Sequence, residues 1–202
     1  MDAGLFIIRV VVGLTLAAHG VQKLFGWLDG PGIRSTGHEF ALLGYRRPVF
    51  FAVMAGAAET GGGALMTLGL LVPFASAAIV GAMLSALLAA QLKNGFWIYN
   101  QGFEYTFVLA AVSAGLAFTG AGALSLDALL GFTRFGDTRW AVVAVAVGAL
   151  AALAAEVYRR RGVAANQRLD EVSPGPRLIP ERRQARLPGG CPPVANKSPR
   201  RG

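Results

Sequence analysis

Four ionisable side chains lie inside the first two long apolar segments of this sequence: Arg9, His19, Lys23 and Glu59. A charged group is costly in the hydrocarbon core of a bilayer, and where one is retained it usually serves a partner charge, a ligand or a proton path. At about 100° per residue of helix, Arg9, His19 and Lys23 fall within an arc of about 80°. These three side chains are therefore predicted to point toward a neighbouring helix and away from lipid.

Glu59 lies in the second apolar segment, on a face that it shares with several glycines and alanines. Small residues allow two membrane helices to approach closely. The simplest partner for Glu59 is a cation of the first helix, Arg9 or His19. Lys23 lies near the end of that helix, where a lysine can extend to the lipid head groups.

Three roles fit this set of residues. A buried ion pair can serve only to fix the register of two helices. The same groups can instead bind a ligand such as a quinone or exchange protons with it, or they can line a transport path for protons or anions. The sequence alone leaves all three roles open.

Two carboxylates at the ends of apolar segments are secondary candidates. Glu104 begins the fourth segment, where a negative charge interacts favourably with the helix dipole. Asp127 follows Ser125 and is suited to capping a helix or closing a turn. A structural role explains each of them at least as well as a functional one.

Metal and thiol chemistry find little support in the sequence. His19 is the single histidine in an apolar segment, so haem held by two helix histidines is disfavoured and a zinc site lacks ligands. His38 and Glu39 do not continue as the H-E-x-x-H zinc motif, because residue 42 is leucine. Cys191 is the one cysteine, so the chain has no dithiol. We predict no metal site, no evident bound cofactor and no complete catalytic constellation.

The elements that must position these residues are five apolar segments of roughly twenty residues, the length that crosses a bilayer as a helix. Lipid offers no water to backbone amides, so each segment is predicted to be helical. The segments span residues 4–25, 49–71, 74–92, 105–124 and 140–158. The predicted fold is an all-α, multi-pass transmembrane helix bundle in contact with a lipid bilayer.

Composition and charge agree with a membrane protein that carries a basic tail. The chain has 202 residues, is 54% hydrophobic and has a mean hydropathy of +0.51, which excludes an ordinary soluble domain. The net charge of +8 lies beyond residue 158, because residues 1–158 hold eight basic and eight acidic residues. Residues 162–202 are rich in proline and arginine, which is typical of disorder. Next to a membrane helix we expect such a tail to bind anionic lipid, and not nucleic acid.

The distribution of basic residues predicts an orientation. Arg34, Arg46 and Arg47, Lys93, and the start of the tail fall on one side of the membrane if there are five crossings. The positive-inside rule then places the N-terminus outside and the tail in the cytoplasm.

Four short motifs give the sequence a family resemblance. They are His19-Gly20-x-x-Lys23-Leu24-Phe25-Gly26, Glu59-x-Gly61-Gly62, Gly102-Phe103-Glu104, and Gly120-x-Gly122-x-x-Ser125-x-Asp127. In this order they resemble the DoxX family over about residues 4–130. The resemblance implies a four-helix membrane core in residues 1–130, to which this chain adds a fifth spanning helix in residues 131–161 and the tail. It also implies a small protein of the bacterial plasma membrane.

The resemblance further implies a function linked to redox enzymes. DoxX-like proteins are described as membrane subunits or scaffolds associated with thiosulfate:quinone oxidoreduction, superoxide dismutase and a sulfurtransferase. The leading hypothesis is therefore a redox-associated membrane subunit, an accessory to an oxidoreductase, with quinone bound near His19 and Glu59. The alternative is a small transporter that conducts protons or anions past the same residues.

Overall fold

The computed structural model describes the backbone of residues 2–172, and every regular element in that range is helical. The α-helices are α1 (Asp2–Phe25), α2 (Gly32–Leu42), α3 (Pro48–Leu68), α4 (Val72–Ala86), α5 (Glu104–Thr119), α6 (Leu126–Leu129) and α7 (Thr138–Val172). A π-helical turn at Leu87–Gln91 and a 3₁₀ turn at Leu92–Asn94 extend α4. The prediction of an all-α bundle is confirmed.

Within residues 2–172, four stretches of helix are long and apolar enough to cross a membrane: Asp2–Phe25, Pro48–Leu68, Val72–Asn94 and Thr138–Ala165. The remaining predicted span, residues 105–124, is a shorter apolar helix of 16 residues, α5. At 1.5 Å per residue it is about 24 Å long, somewhat less than the hydrocarbon thickness of a typical bilayer. The helix ends early because Gly120 takes a positive φ of 76° and turns the chain.

The main helices run antiparallel in chain order and define two ends of the bundle. The start of α1, the turn between α3 and α4, and residues 120–137 form what we call the Asp127 end. The finish of α1, α2, residues 92–103 and the part of α7 around residues 156–163 form the Lys23 end. Although α5 is short, it runs from one end to the other: Tyr105 at its start contacts His19, and Ala121 just past its finish accepts a hydrogen bond from Arg9.

Local sequence explains several helix boundaries. Pro48 is the first residue of α3, where a missing N–H costs nothing. Gly69 ends α3 with a left-handed conformation, φ 64° and ψ 41°, the usual glycine C-cap. The chain then turns through Leu71, which also takes a left-handed conformation, directly into α4.

The core lies around α4, which packs against α3, α5 and α7. In the most apolar stretch of Val72–Asn94, 44% of the residues are buried. The corresponding share is 28% for α1 and 28% for α7. The core residues are apolar and come from four helices: Val12, Leu16, Met66, Val72, Ala75, Ile79, Met83, Leu109, Ala110 and Leu116. The exposed faces are also apolar, as expected of helices that contact lipid.

The closest helix packing is between α1 and α3, and it depends on glycines. A Cβ added at Gly63 would lie 2.5 Å from the backbone nitrogen of Ala17 and 2.5 Å from the carbonyl oxygen of Gly13. A Cβ added at Gly20 would lie 2.4 Å from the backbone nitrogen of Thr60. The two backbones therefore touch at two levels, about two turns apart, and this contact fixes the register of the residues between them.

Gly63→Ala is expected to destabilise the protein by about 1–3 kcal/mol, because the added methyl group forces the two backbones apart. Gly61→Ala is the matched control, since a Cβ at Gly61 would meet nothing within 4 Å. That control should be neutral or slightly stabilising, because alanine has the better helix propensity. Thermal unfolding of both variants in detergent checks this, and equal melting temperatures would contradict the close α1–α3 contact.

The C-terminal helix is longer than predicted. It ends at Val172, so helix continues past residue 161, where the sequence placed the start of the tail. Residues 173–202, with Cys191 and most of the predicted tail, lie outside the described residues. The division into a four-helix core, an added helix and a disordered tail stays a prediction.

Candidate functional site

The α1–α3 contact brings Lys23 and Glu59 together. Nζ of Lys23 donates to Oε1 of Glu59 at 2.5 Å, forming an ion pair between the two helices. The Glu59 side chain is 2% exposed, whereas that of Lys23 is 29% exposed. The pair therefore has one buried member and one that reaches the surface of the bundle.

Two polar atoms beside this ion pair have no hydrogen-bond partner in the described part of the chain. They are Oε2 of Glu59 and Oγ1 of Thr60, and both are buried. A buried acceptor without a partner costs roughly 1–3 kcal/mol, so native proteins usually satisfy it or reserve it for a function. Glu59 thus offers a free carboxylate oxygen inside the bundle.

His19 and Tyr105 stand at the edge of the ion pair, on the surface that faces lipid. Their ring centroids are 6.0 Å apart, and both side chains are exposed. Nδ1 of His19 lies 2.8 Å from the carbonyl oxygen of Thr15. Because a carbonyl only accepts, Nδ1 carries the hydrogen, and a neutral ring then presents Nε2 as an acceptor.

We call these five residues the Lys23–Glu59 site: His19, Lys23, Glu59, Thr60 and Tyr105. The site lies between two and six residues from the end of α1, which is about 3–9 Å of helix. It is therefore inside the apolar layer, near the Lys23 end of the bundle, with the exposed rings of His19 and Tyr105 on its outer side. The prediction that His19 points away from lipid is wrong, because the ring lies on the outside of α1 next to α5.

Arg9 does not belong to this site. The sequence favoured Arg9 or His19 as the partner of Glu59, but the ion pair is made by Lys23, whose long side chain reaches back along α1 toward Glu59. The Arg9 guanidinium instead lies against Gly69, ten residues along α3 from Glu59, a separation of about 15 Å. An apolar layer of Val12, Leu16 and Met66 lies between the two positions.

Arg9 is 1% exposed and holds the loop after α5. Its guanidinium donates to the carbonyl oxygens of Ala121 and, at 2.5 Å, of Leu124. Among the described residues it forms no ion pair, although Asp127 contributes a favourable charge nearby. Arg9 therefore links α1 to the loop at the Asp127 end through hydrogen bonds.

Asp127 and Glu104 both have structural partners. The Asp127 carboxylate, 7% exposed, accepts hydrogen bonds from the backbone N–H groups of Leu71 at 2.8 Å and Val72 at 3.3 Å. It thereby caps the start of α4, where a negative charge is favourable. Glu104 accepts from the N–H of Ile98 at 3.0 Å and closes the aromatic loop before α5.

A cavity of about 220 Å³ lies at the Asp127 end, between the start of α4 and the loop after α5. Asp127 lines it, together with Ser125, Thr119 and two phenylalanines. Its one carboxylate is engaged by the N–H groups of α4, and Ser125 caps α6 through Ala128 at 3.1 Å. This cavity offers a ligand fewer free polar atoms than the Lys23–Glu59 site.

Sequence reasoning missed one polar cluster at the Lys23 end. Glu156 is 5% exposed and binds Nε of Arg159 at 2.7 Å and Nε of Arg160 at 2.6 Å. Arg159 also donates to the carbonyl of Leu43 at 3.0 Å, which ties α7 to the connection before α3. Burial in that connection raises the pKa of Tyr45. The signal was present in the sequence as glutamate followed by arginine three and four residues later on one helix face.

No group of three or more histidine, cysteine, aspartate or glutamate side chains that could hold a metal ion occurs among the described residues.

The fold and the buried charges define the class of protein: a multi-pass helical membrane protein. The DoxX family model matches residues 4–92, from the start of α1 through the turns that extend α4. Residues 4–92 are therefore similar to a DoxX domain, in agreement with the resemblance indicated by the motifs at residues 19–26 and 59–62.

The matched range contains Arg9, His19, Lys23 and Glu59, whereas Glu104, Tyr105 and Asp127 lie beyond it. No curated protein and no solved structure matches the chain.

Proposed function

We propose that this protein is a redox-associated membrane subunit that binds a quinone head group in the Lys23–Glu59 site. The observation that carries the proposal is the combination of a buried carboxylate oxygen without a partner and the exposed rings of His19 and Tyr105 in the same site. A ligand that enters from the bilayer must be lipid-soluble, and one that engages these groups must carry polar atoms at its tip. A quinone with an isoprenoid tail has both properties.

The polar groups of the site suit both redox forms of such a ligand. The Lys23 ammonium has three N–H groups, and one of them can donate a hydrogen bond to a quinone carbonyl oxygen. Oε2 of Glu59 and Nε2 of His19 are acceptors for the hydroxyl groups of a hydroquinone. The site can therefore bind the oxidised and the reduced form, and accept protons from the latter.

The part of the proposal that concerns partners rests on the family resemblance and on the sequence. The chain has a single cysteine, in the tail, so it has no thiol pair to carry electrons. We therefore propose that it binds the quinone and anchors a soluble oxidoreductase, such as a superoxide dismutase or a sulfurtransferase, and that the partner carries out the redox chemistry.

The alternative of a small transporter has less support. A path for protons or anions through the bundle needs polar groups along its whole length. The apolar layer of Val12, Leu16 and Met66 separates Arg9 from the Lys23–Glu59 site. The buried charges near α1 and α3 therefore form two separate groups.

Quinone binding by the purified protein tests the proposal. Wild-type protein in detergent is expected to retain quinone through purification and to bind added quinone saturably. Tyr105→Phe keeps the aromatic packing and removes one hydroxyl group. Glu59→Gln removes a charged acceptor and should weaken binding by about tenfold or more, since hydrogen bonds to charged groups contribute about 1.5–3 kcal/mol. Binding that is unsaturable, or unchanged in both variants, would overturn the proposal.

We also propose that the protein resides in the bacterial plasma membrane with its N-terminus outside and its Lys23 end in the cytoplasm. The positive-inside rule supports this, because Arg46, Arg47 and Arg159–Arg161 lie at the Lys23 end. Cys191 is then cytoplasmic, and a membrane-impermeant thiol reagent should label it only after the cells are permeabilised. Labelling of Cys191 in intact cells would reverse the orientation.

A further inference from the structure

Two separate parts of the chain bring exposed arginines together at the Lys23 end. Arg46 and Arg47 lie in the connection before α3, and Arg160 and Arg161 lie in α7. All four are exposed, and the Arg160 side chain is 71% exposed although it contacts Glu156. In the sequence these pairs are more than one hundred residues apart, so only the fold makes them neighbours.

The contact between the two parts is close. A Cβ added at Gly162 would lie 2.5 Å from the carbonyl oxygen of Gly44 and 3.2 Å from Cγ of Arg46. Val163 packs directly on Gly44. The Arg46 side chain therefore runs beside the α7 turn that carries Arg161, and the hydrogen bond from Arg159 to the Leu43 carbonyl holds the two parts together.

The charge of this surface is strongly positive. Its arginines are Arg46, Arg47, Arg159, Arg160 and Arg161, and Glu156 forms ion pairs with two of them, Arg159 and Arg160. Glu156 is buried and already engaged by Arg159 and Arg160. The exposed guanidinium groups are thus available to an anion, and guanidinium is well suited to phosphate oxygens.

The surface is continuous with the lipid-facing side of the bundle. On α7 the exposed residues Leu150, Leu153 and Val157 precede Arg160 and Arg161 at helical spacings, so they form one stripe that ends in the two arginines. On α3 the exposed residues Val49 and Phe50 come just after Arg47 and Pro48. An acyl chain that packs on these residues brings its own head group to the arginines.

We propose that Arg46, Arg47, Arg160 and Arg161 form a binding site for the head group of an anionic phospholipid. The phosphate lies between the connection before α3 and the turn of α7 that carries Arg160 and Arg161, and the acyl chains cover the Leu153–Val157 stripe and Phe50. This site belongs to the helical part of the chain and is separate from the basic tail. A basic patch between membrane helices at the interface is the usual setting for such lipids.

The test compares two double variants of the full-length protein that lose the same charge. Arg46→Gln with Arg161→Gln removes two arginines of the site. Arg34→Gln with Arg139→Gln removes two exposed arginines elsewhere, one in α2 and one at the Asp127 end. Both variants keep the tail. The protein is exchanged into nanodiscs, and native mass spectrometry then compares its binding of phosphatidylglycerol with its binding of phosphatidylcholine.

We expect the site variant to bind phosphatidylglycerol about thirtyfold more weakly than wild type, which is roughly fivefold per arginine, and the control variant to bind as wild type does. Equal weakening in both variants would show a general effect of charge and overturn the site. Unchanged binding in both would assign the lipid to the tail and overturn it as well. Complete competition by millimolar glycerol phosphate would show a site for free phosphate, and would overturn the assignment to lipid.

Discussion

Arg9→Met is expected to lower the free energy of unfolding by roughly 2–5 kcal/mol. The side chain is fully buried and donates to the carbonyl oxygens of Ala121 and Leu124. Methionine fills much of the same volume but donates nothing, so two carbonyls lose their partner at about 1–3 kcal/mol each. The loop after α5 should then detach from α1, and its amide protons should exchange faster.

Arg139→Gln is the control, because that side chain is 91% exposed and its nearest carboxylate oxygen is 4.0 Å away. Its substitution should change stability by less than about 0.5 kcal/mol. Chemical unfolding in mixed micelles gives the free energy of unfolding, and hydrogen exchange gives the exchange rates of the amide protons in the loop. If Arg9→Met were as stable as Arg139→Gln, the guanidinium would not hold the loop.

Glu59→Gln is expected to cost about 1–3 kcal/mol. Breaking a fully buried pair costs about 3–5 kcal/mol, but Lys23 is partly exposed and can turn toward the interface once its partner is lost. Lys23→Met should cost less in the Glu59→Gln background than in wild type. A double-mutant cycle measures this coupling, which should be about 1–2 kcal/mol.

The same cycle with Arg9 separates this structure from the pairing that the sequence favoured. Arg9 and Glu59 are about 15 Å apart along the helices, so their effects should add to within about 0.5 kcal/mol. Strong coupling of Glu59 to Arg9, with none to Lys23, would contradict the arrangement of α1 and α3.

The fold can be predicted from the sequence largely because few backbone conformations can cross a bilayer. Long apolar segments must be helices, and glycine and proline mark where they stop, as at Gly69 and Pro48. The length of α5 was overestimated since residues 120–124 are apolar and small, and hydropathy does not report that Gly120 turns the chain. The loop after α5 is held by Arg9, and that contact spans more than one hundred residues of sequence.

The composition of the site was predictable, but its pairing was not. Helical periodicity placed the cations on one arc, and small residues indicated the α1–α3 contact. Which cation meets Glu59 depends on the register of two antiparallel helices, and the contacts of Gly20 and Gly63 set that register. A side chain also leans toward the start of its helix, so Lys23 reaches a residue level with His19. Tyr105 was not identified as a member, because only tertiary packing brings α5 to His19.

The most direct test of the central claim is photolabelling with a quinone that carries a photoreactive group on its ring, followed by peptide mapping. We predict that the label attaches to α1 around His19–Lys23, to α3 around Glu59 and to the start of α5. Excess unlabelled quinone should displace it, and Glu59→Gln should reduce it while the protein stays folded. Label that spreads over the lipid-facing stripe of α7 and the outer faces of the other helices, undiminished by competitor or by Glu59→Gln, would contradict a quinone site between Lys23 and Glu59.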